Sequence, residues 1–216
     1  MIDEVAEVKQ YLDGKGLEDS QNYYRACYMI TKYYKKLGLS RDETFLKTAE
    51  WVRHCNLTLP FSLIRCVSAA YANETELRCG ATVRISKADA DCIRMYSRNR
   101  QDRRVALALM CCAKALAGKD GSFIASSGAL ASWLGMDACN MRGRYLRRLE
   151  EFGFMEKLKN NNRMHGWQKN YYRNALRFRL KVPVDEGGEW TLQYNDIRKL
   201  YEQVFGEPYE TPCVNG

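Results

Sequence analysis

Asn140, Arg144 and Arg148 recur at four-residue intervals in a run that also holds Met141 and Arg147. Residues four apart lie on one side of an α-helix, so these side chains would stand in a row, each presenting forked hydrogen-bonding groups. The chemistry open to such a row is recognition of nucleobase edges, because arginine pairs bidentately with guanine and asparagine with adenine in the major groove of a duplex. A solvated amphipathic helix carries similar charges. The neighbouring elements therefore have to decide between the two.

Catalytic chemistry has a weaker claim. His54 and His165 are the only histidines, each in a polar setting, so no Ser-His or Cys-His pairing is indicated. The nine cysteines are odd in number, form no CxxC and sit mostly among apolar neighbours. That pattern is expected of free thiols in a reducing cytoplasm. His54 adjoins Cys55, yet no second cluster at ligand spacing exists to complete a metal site. Acidic residues fall at helix starts and in the C-terminal tail rather than in a converging group. The expectation is a cytoplasmic protein that is not an enzyme and has no catalytic residues, metal or cofactor. The longest apolar run, residues 105–113, is too short to span a bilayer, so no membrane association is expected.

The elements that would position the row can be traced in both directions. Ser127 can cap a helix whose apolar positions Leu130, Ala131 and Leu134 share a stripe, and Gly135 can end it. Asp137 then caps the next helix. Stepping 100° per residue from Leu146 puts Cys139, Gly143, Leu149 and Gly153 on the buried side and Asn140, Met141, Arg144, Arg148 and Glu151 on the other. Gly143 is accordingly expected to let this helix approach its predecessor closely. Beyond it, residues 154–159 read as a strand, 160–170 as a polar loop and 172–182 as a returning strand. The second strand alternates Leu176, Phe178, Leu180 and Val182 with Arg177, Arg179 and Lys181.

Charge supports a polyanionic partner. The net charge of +8 is unevenly spread: residues 138–181 hold 12 lysines and arginines against 3 acidic residues, whereas 182–216 hold 2 against 7. A localised field of this kind is the electrostatic footprint of phosphate binding.

Helix, helix, basic helix and hairpin in this order, with the run YLRRLEEFGFMEK at 145–157, resemble a winged helix-turn-helix domain over residues 101–182. The resemblance implies double-stranded DNA as partner. It implies base or backbone contacts from Asn140, Met141, Arg144, Arg147 and Arg148 on the recognition helix, and phosphate contacts from Lys157, Lys159, Arg163, Lys169, Arg173, Arg177, Arg179 and Lys181 on the wing. Arg103 and Arg104, at the start of the first helix of that domain, either add phosphate contacts or keep a junction soluble.

The N-terminal part reads as four short-linked helices. Ile2, Val5, Val8 and Leu12 define the first, residues 22–37 the second, Ser40 with Glu43 a capping box for the third, and Pro60 the start of a fourth over 61–72. The succession SQNYYRACYMITKYYKKLGLSRDET, WVRHCNLTLP and LIRCVSAAYANE resembles the small helical domain that follows the catalytic domain of phage and plasmid primases, over residues 18–76. No polymerase domain, zinc ribbon or P-loop accompanies it, which argues for a replication or mobile-element context without primer synthesis.

The expected architecture is thus mostly α: a helical domain over 1–80, a connecting strand and helix over 81–100, a winged helix-turn-helix domain with a small β-hairpin wing over 101–182, and a C-terminal helix and tail over 183–216. The last helix carries an apolar stripe, Ile197, Leu200, Tyr201 and Val204, expected to pack on the winged domain or on a second copy in a homodimer. The expected function is non-catalytic duplex-DNA binding in the replication initiation or regulation of a phage, plasmid or integrated element, with a replication or defence protein held through 1–80. The alternative is a protein-binding inhibitor or adaptor that docks its basic face on a host nucleic-acid enzyme or defence complex, such as a CRISPR effector.

Overall fold

The computed structural model of the chain describes residues 3–15, 17, 20–58, 63–72, 77–79, 82–158, 175–193 and 195–209. They fall into two units, Asp3–Cys79 and a second that runs on from Gly80. Most of the described chain is helical, with small antiparallel sheets only in the second unit.

In the first unit, α1 (Glu4–Leu12), α2 (Ser20–Lys36), α3 (Arg41–His54) and α4 (Leu63–Ala72) enclose a core centred on Val8, Cys27, Ile30, Val52 and Cys66. Their boundaries follow from capping. The Asp3 carboxylate accepts from the Ala6 N–H at 2.9 Å, and Ser40 and Glu43 close a reciprocal capping box on α3. Two ion pairs join α1 to α2. Lys32 Nζ lies 3.1 Å from Glu4 Oε2, both nearly buried, and Arg25 grips both oxygens of Glu7 at 2.6 and 2.8 Å. Burial pushes the Glu7 carboxyl up, but hydrogen bonding and charge from Arg25 outweigh it and hold Glu7 below its ordinary value.

The second unit is built around α6 (Arg100–Leu116), in which every residue from 105 to 113 is buried. A helix apolar on all sides must be covered on all sides, and the flanking chain does this. Residues 82–100, expected as a connector, supply β1 (Arg84–Ile85) and α5 (Lys87–Met95), and they put Val83, Ile85, Ala90 and Ile93 into the α6 core. The C-terminal region adds β5 (Trp190–Thr191), paired antiparallel with β1, and α9 (Ile197–Phe205). The stripe Ile197, Leu200, Tyr201 and Val204 of α9 is buried in the same core. Its partner among the described residues is therefore this unit's own core.

A second sheet holds β2 (Ser122–Ser126), β4 (Ala175–Leu180) and β3 (Met155–Leu158), antiparallel in the order β2-β4-β3. Phe123 faces Phe178 in register, and both are buried with Met155 on the side toward the core. Arg177, Arg179 and Glu156 occupy the other side. Between β2 and β3 run α7 (Ser127–Leu134) and a composite helix, α8, spanning 138–151.

One ionic knot secures the β1–α5 corner. Lys114 Nζ stands 2.6 Å from Asp89 Oδ2, with side-chain exposures of 7% and 1%, and also donates to the Asp185 carbonyl at 2.6 Å. Gly188, at φ +156°, lies so close to β1 that a Cβ there would stand 2.3 Å from the carbonyl carbon of Ile85.

Candidate nucleic-acid interface

The approach to α8 is set by three local features. Gly135 adopts a left-handed conformation at φ +63° and ends α7, with the Met136 N–H donating to the Ala131 carbonyl at 2.8 Å. Asp137 then caps α8, its carboxylate accepting from the Asn140 N–H at 2.8 Å. The helix itself is not uniform. An α-helical turn, Ala138–Asn140, leads into a π-helical stretch, Met141–Leu146, and α-geometry resumes over Arg147–Glu151.

That π stretch changes which residues face inward. Its hydrogen bonds close over five residues instead of four, so Met141 and Leu146 fall on one side, and both are buried, as is Leu149. Met141 is therefore a core residue and not a candidate contact. Cys139 and Gly143, expected on the buried side by uniform 100° steps, are exposed instead, and no atom lies within 4 Å of where a Gly143 Cβ would be. Close packing against α7 does not account for this glycine.

Asn140, Arg142, Arg144 and Arg147 are all exposed. Arg147 is paired with Glu151 at 2.8 Å, an exposed contact four residues along the same helix that contributes little. The Arg144 guanidinium lies 5.8 Å from the centre of the Tyr145 ring. Uniform stepping left Arg142 off the row.

Arg148 is spoken for within the fold. Its Nη2 lies 2.9 Å from Asp102 Oδ1, and the Asp102 side chain is fully buried at the start of α6. Burial raises the Asp102 carboxyl above its ordinary value, against the pull of Arg148, Arg144 and Arg98. The two arginines at the start of α6 are also engaged. Arg104 is fully buried, its guanidinium 4.0 Å from the centre of the Tyr209 ring and donating to Gln101 at 3.0 Å. Arg103 pairs with Glu207 at 3.2 Å. Arg104 thus anchors the C-terminal segment and has no surface to offer phosphate. The acid and the ring that hold this pair lie about a hundred residues away in sequence.

On the sheet, Lys157 is exposed at the end of β3, on the core-facing side where its own N–H meets Glu150 of α8 at 3.2 Å. Arg177 and Arg179 lie on the opposite side. Arg177 donates to Asp120 at 2.6 Å and to Ser122 at 2.9 Å, while Arg179 donates to Glu156 at 3.2 Å. The basic side of the hairpin is thereby partly neutralised by carboxylates from two neighbouring segments. Lys181 is exposed. Lys159, Arg163, Lys169 and Arg173 lie outside the described residues.

Strand β2 is not among the expected elements, although Ser122–Ser126 alternates Phe123 and Ala125 inward with Ile124 outward. Among the described residues no group of three His, Cys, Asp or Glu could hold a metal ion, the cysteines are free thiols, and no helix is long and apolar enough to cross a membrane. Comparison of the chain with protein-family models, with curated proteins and with solved structures gives no match.

Proposed function

We propose that this chain is a non-catalytic duplex-DNA-binding protein that acts in the replication initiation or regulation of a phage, plasmid or integrated element, with α8 as its recognition helix. The observation that carries the reading is the two-sidedness of α8: Met141, Leu146 and Leu149 are buried while Asn140 and Arg144, four residues apart, are exposed, as is Arg142. Arg142 has no carboxylate partner among the described residues. The topology supports it as well. Helix α6, strand β2, helices α7 and α8, then β3 and β4 with β4 central is the order expected of a winged helix-turn-helix domain. Lys157 adds a cation on the α8 side of the wing.

The N-terminal unit is proposed to hold a replication or defence protein. A second reading, docking of the α8 face on an acidic protein, draws support from the internal pairing of Arg103, Arg148, Arg177 and Arg179. That pairing leaves a smaller cationic face than the sequence count implies.

Fluorescence anisotropy of the full chain on random-sequence duplex at several salt concentrations tests the proposal. DNA binding predicts affinity that falls with salt, with each phosphate-contacting cation contributing a slope of about one. Arg142→Ala and Arg144→Ala should each weaken it. Parental affinity in both variants, or no duplex binding at all, would leave the protein-docking reading in its place.

A further inference from the structure

Gly143 stands at the middle of the exposed side of α8, inside the π-helical stretch, and nothing in the fold requires a glycine there. Its φ is not positive, and a Cβ would meet no atom within 4 Å. Glycine is nevertheless the poorest helix former after proline. A glycine that neither backbone conformation nor packing demands leaves room for another molecule to approach the backbone closely. The surroundings indicate which molecule. Asn140 precedes Gly143 by three residues, near the N-terminal end of the helix, and its N–H is already taken by Asp137 while its side chain is exposed. Arg142 and Arg144 flank the glycine on either side.

Asparagine has a short side chain. It can make the paired hydrogen bonds to adenine N6 and N7 only if the helix backbone lies deep in the groove, and a side chain at 143 would hold it away. Arginine, being long, tolerates a shallower seat. We propose that Gly143 is the point of closest approach between α8 and the major-groove floor, and that this seat brings Asn140 onto an adenine. Gly143 is thus a positioning residue for sequence readout. The inference rests on the proposed role of α8 as a recognition helix.

The test uses the full chain. A duplex pool randomised over about 20 base pairs is selected with the parent protein, and the enriched duplex and an unselected pool are then titrated with the parent, Gly143→Ala, Gly143→Leu and Asn140→Ala. Melting temperature is measured in parallel. The variants at 143 should melt at or above the parental temperature, since the site is open and glycine is a poor helix former. Gly143→Leu should lose roughly tenfold to a hundredfold in affinity for the enriched duplex, the equivalent of one base-pair readout, with much less change on the unselected pool. Asn140→Ala should lose a comparable factor, and a protein carrying both Gly143→Leu and Asn140→Ala should lose no more than either change alone. Parental affinity of Gly143→Leu for the enriched duplex overturns the inference and leaves DNA binding standing. So does equal loss on both pools, or a parent that binds duplex without enriching any sequence. A parent that binds no duplex overturns both.

Discussion

Arg148 reaches from the exposed helix α8 back to Asp102, with 2.9 Å between Nη2 and Oδ1, and the carboxylate it meets has no exposure to solvent. The pair fixes the end of α8 to the start of α6. It also withdraws one arginine from the face on which Asn140 and Arg144 remain exposed.

Removing Arg148 should therefore act on stability. Arg148→Ala leaves the Asp102 charge buried without its cation, and breaking one partner of a buried pair costs about 3 kcal/mol or more. The loss depends on pH with a definite sign. Asp102 in the folded protein titrates above its ordinary 3.8, so the folded state binds a proton more readily than the unfolded state. Its contribution is most favourable below pH 3.8 and is lost as pH rises through the folded value. The gap between parent and Arg148→Ala should be widest near neutrality and should narrow as the solution is acidified toward that range. Denaturant unfolding at a series of pH values checks this; a pH-independent gap would mean that the ion pair is not its source.

In the first unit the sign reverses. Glu7 is held below its ordinary 4.5 by Arg25, so its contribution is present above that value and disappears as pH falls through the lower, folded one. Glu7→Gln should cost about 1–2 kcal/mol at neutral pH, given that the pair is only partly exposed, and the difference from the parent should vanish under strong acid. Acid titration of unfolding free energy for both proteins measures it.

Gly188→Ala should be among the most damaging single-methyl changes in the chain. The new Cβ would fall 2.3 Å from the Ile85 backbone, and backbone, unlike a flexible side chain, cannot swing away. Separation of β1 from β5 or a shift of the 185–189 turn must follow, at a cost of roughly 1–3 kcal/mol. Thermal unfolding would register this as a lower melting temperature. Gly143→Ala serves as the contrasting glycine, with open space in place of backbone.

How much of this was written in the sequence varies with the range of the interaction responsible. Local signals sufficed for several features that close over a few residues, although the residue that caps α7 is Ser126 and not the expected Ser127, which is the first residue of the helix. Ser40 with Glu43 and Ser86 with Asp89 form the capping boxes that their spacing implies, Gly135 ends α7 in the left-handed conformation, and the alternation through Leu176, Phe178 and Leu180 yields strand β4. Each depends on chain geometry and side-chain chemistry within a turn or a strand. The apolar stripe of α9 likewise announced burial.

What covered that stripe, and which arginines remained available, was decided by tertiary structure. Glu207 and Tyr209 hold Arg103 and Arg104 from about a hundred residues away, Asp120 and Glu156 hold Arg177 and Arg179, and Asp102 holds Arg148. No count of charges along the chain contains these pairings, because opposite charges that meet in the fold are distant in sequence. The phase of α8 was hidden for a related reason. A π-helical stretch is poorer in intrinsic propensity than an α-helix, so local sequence favours uniform α steps. Placing Met141, Leu146 and Leu149 together in the core under α6 selects the other geometry, and with it the exposure of Arg142 and Gly143.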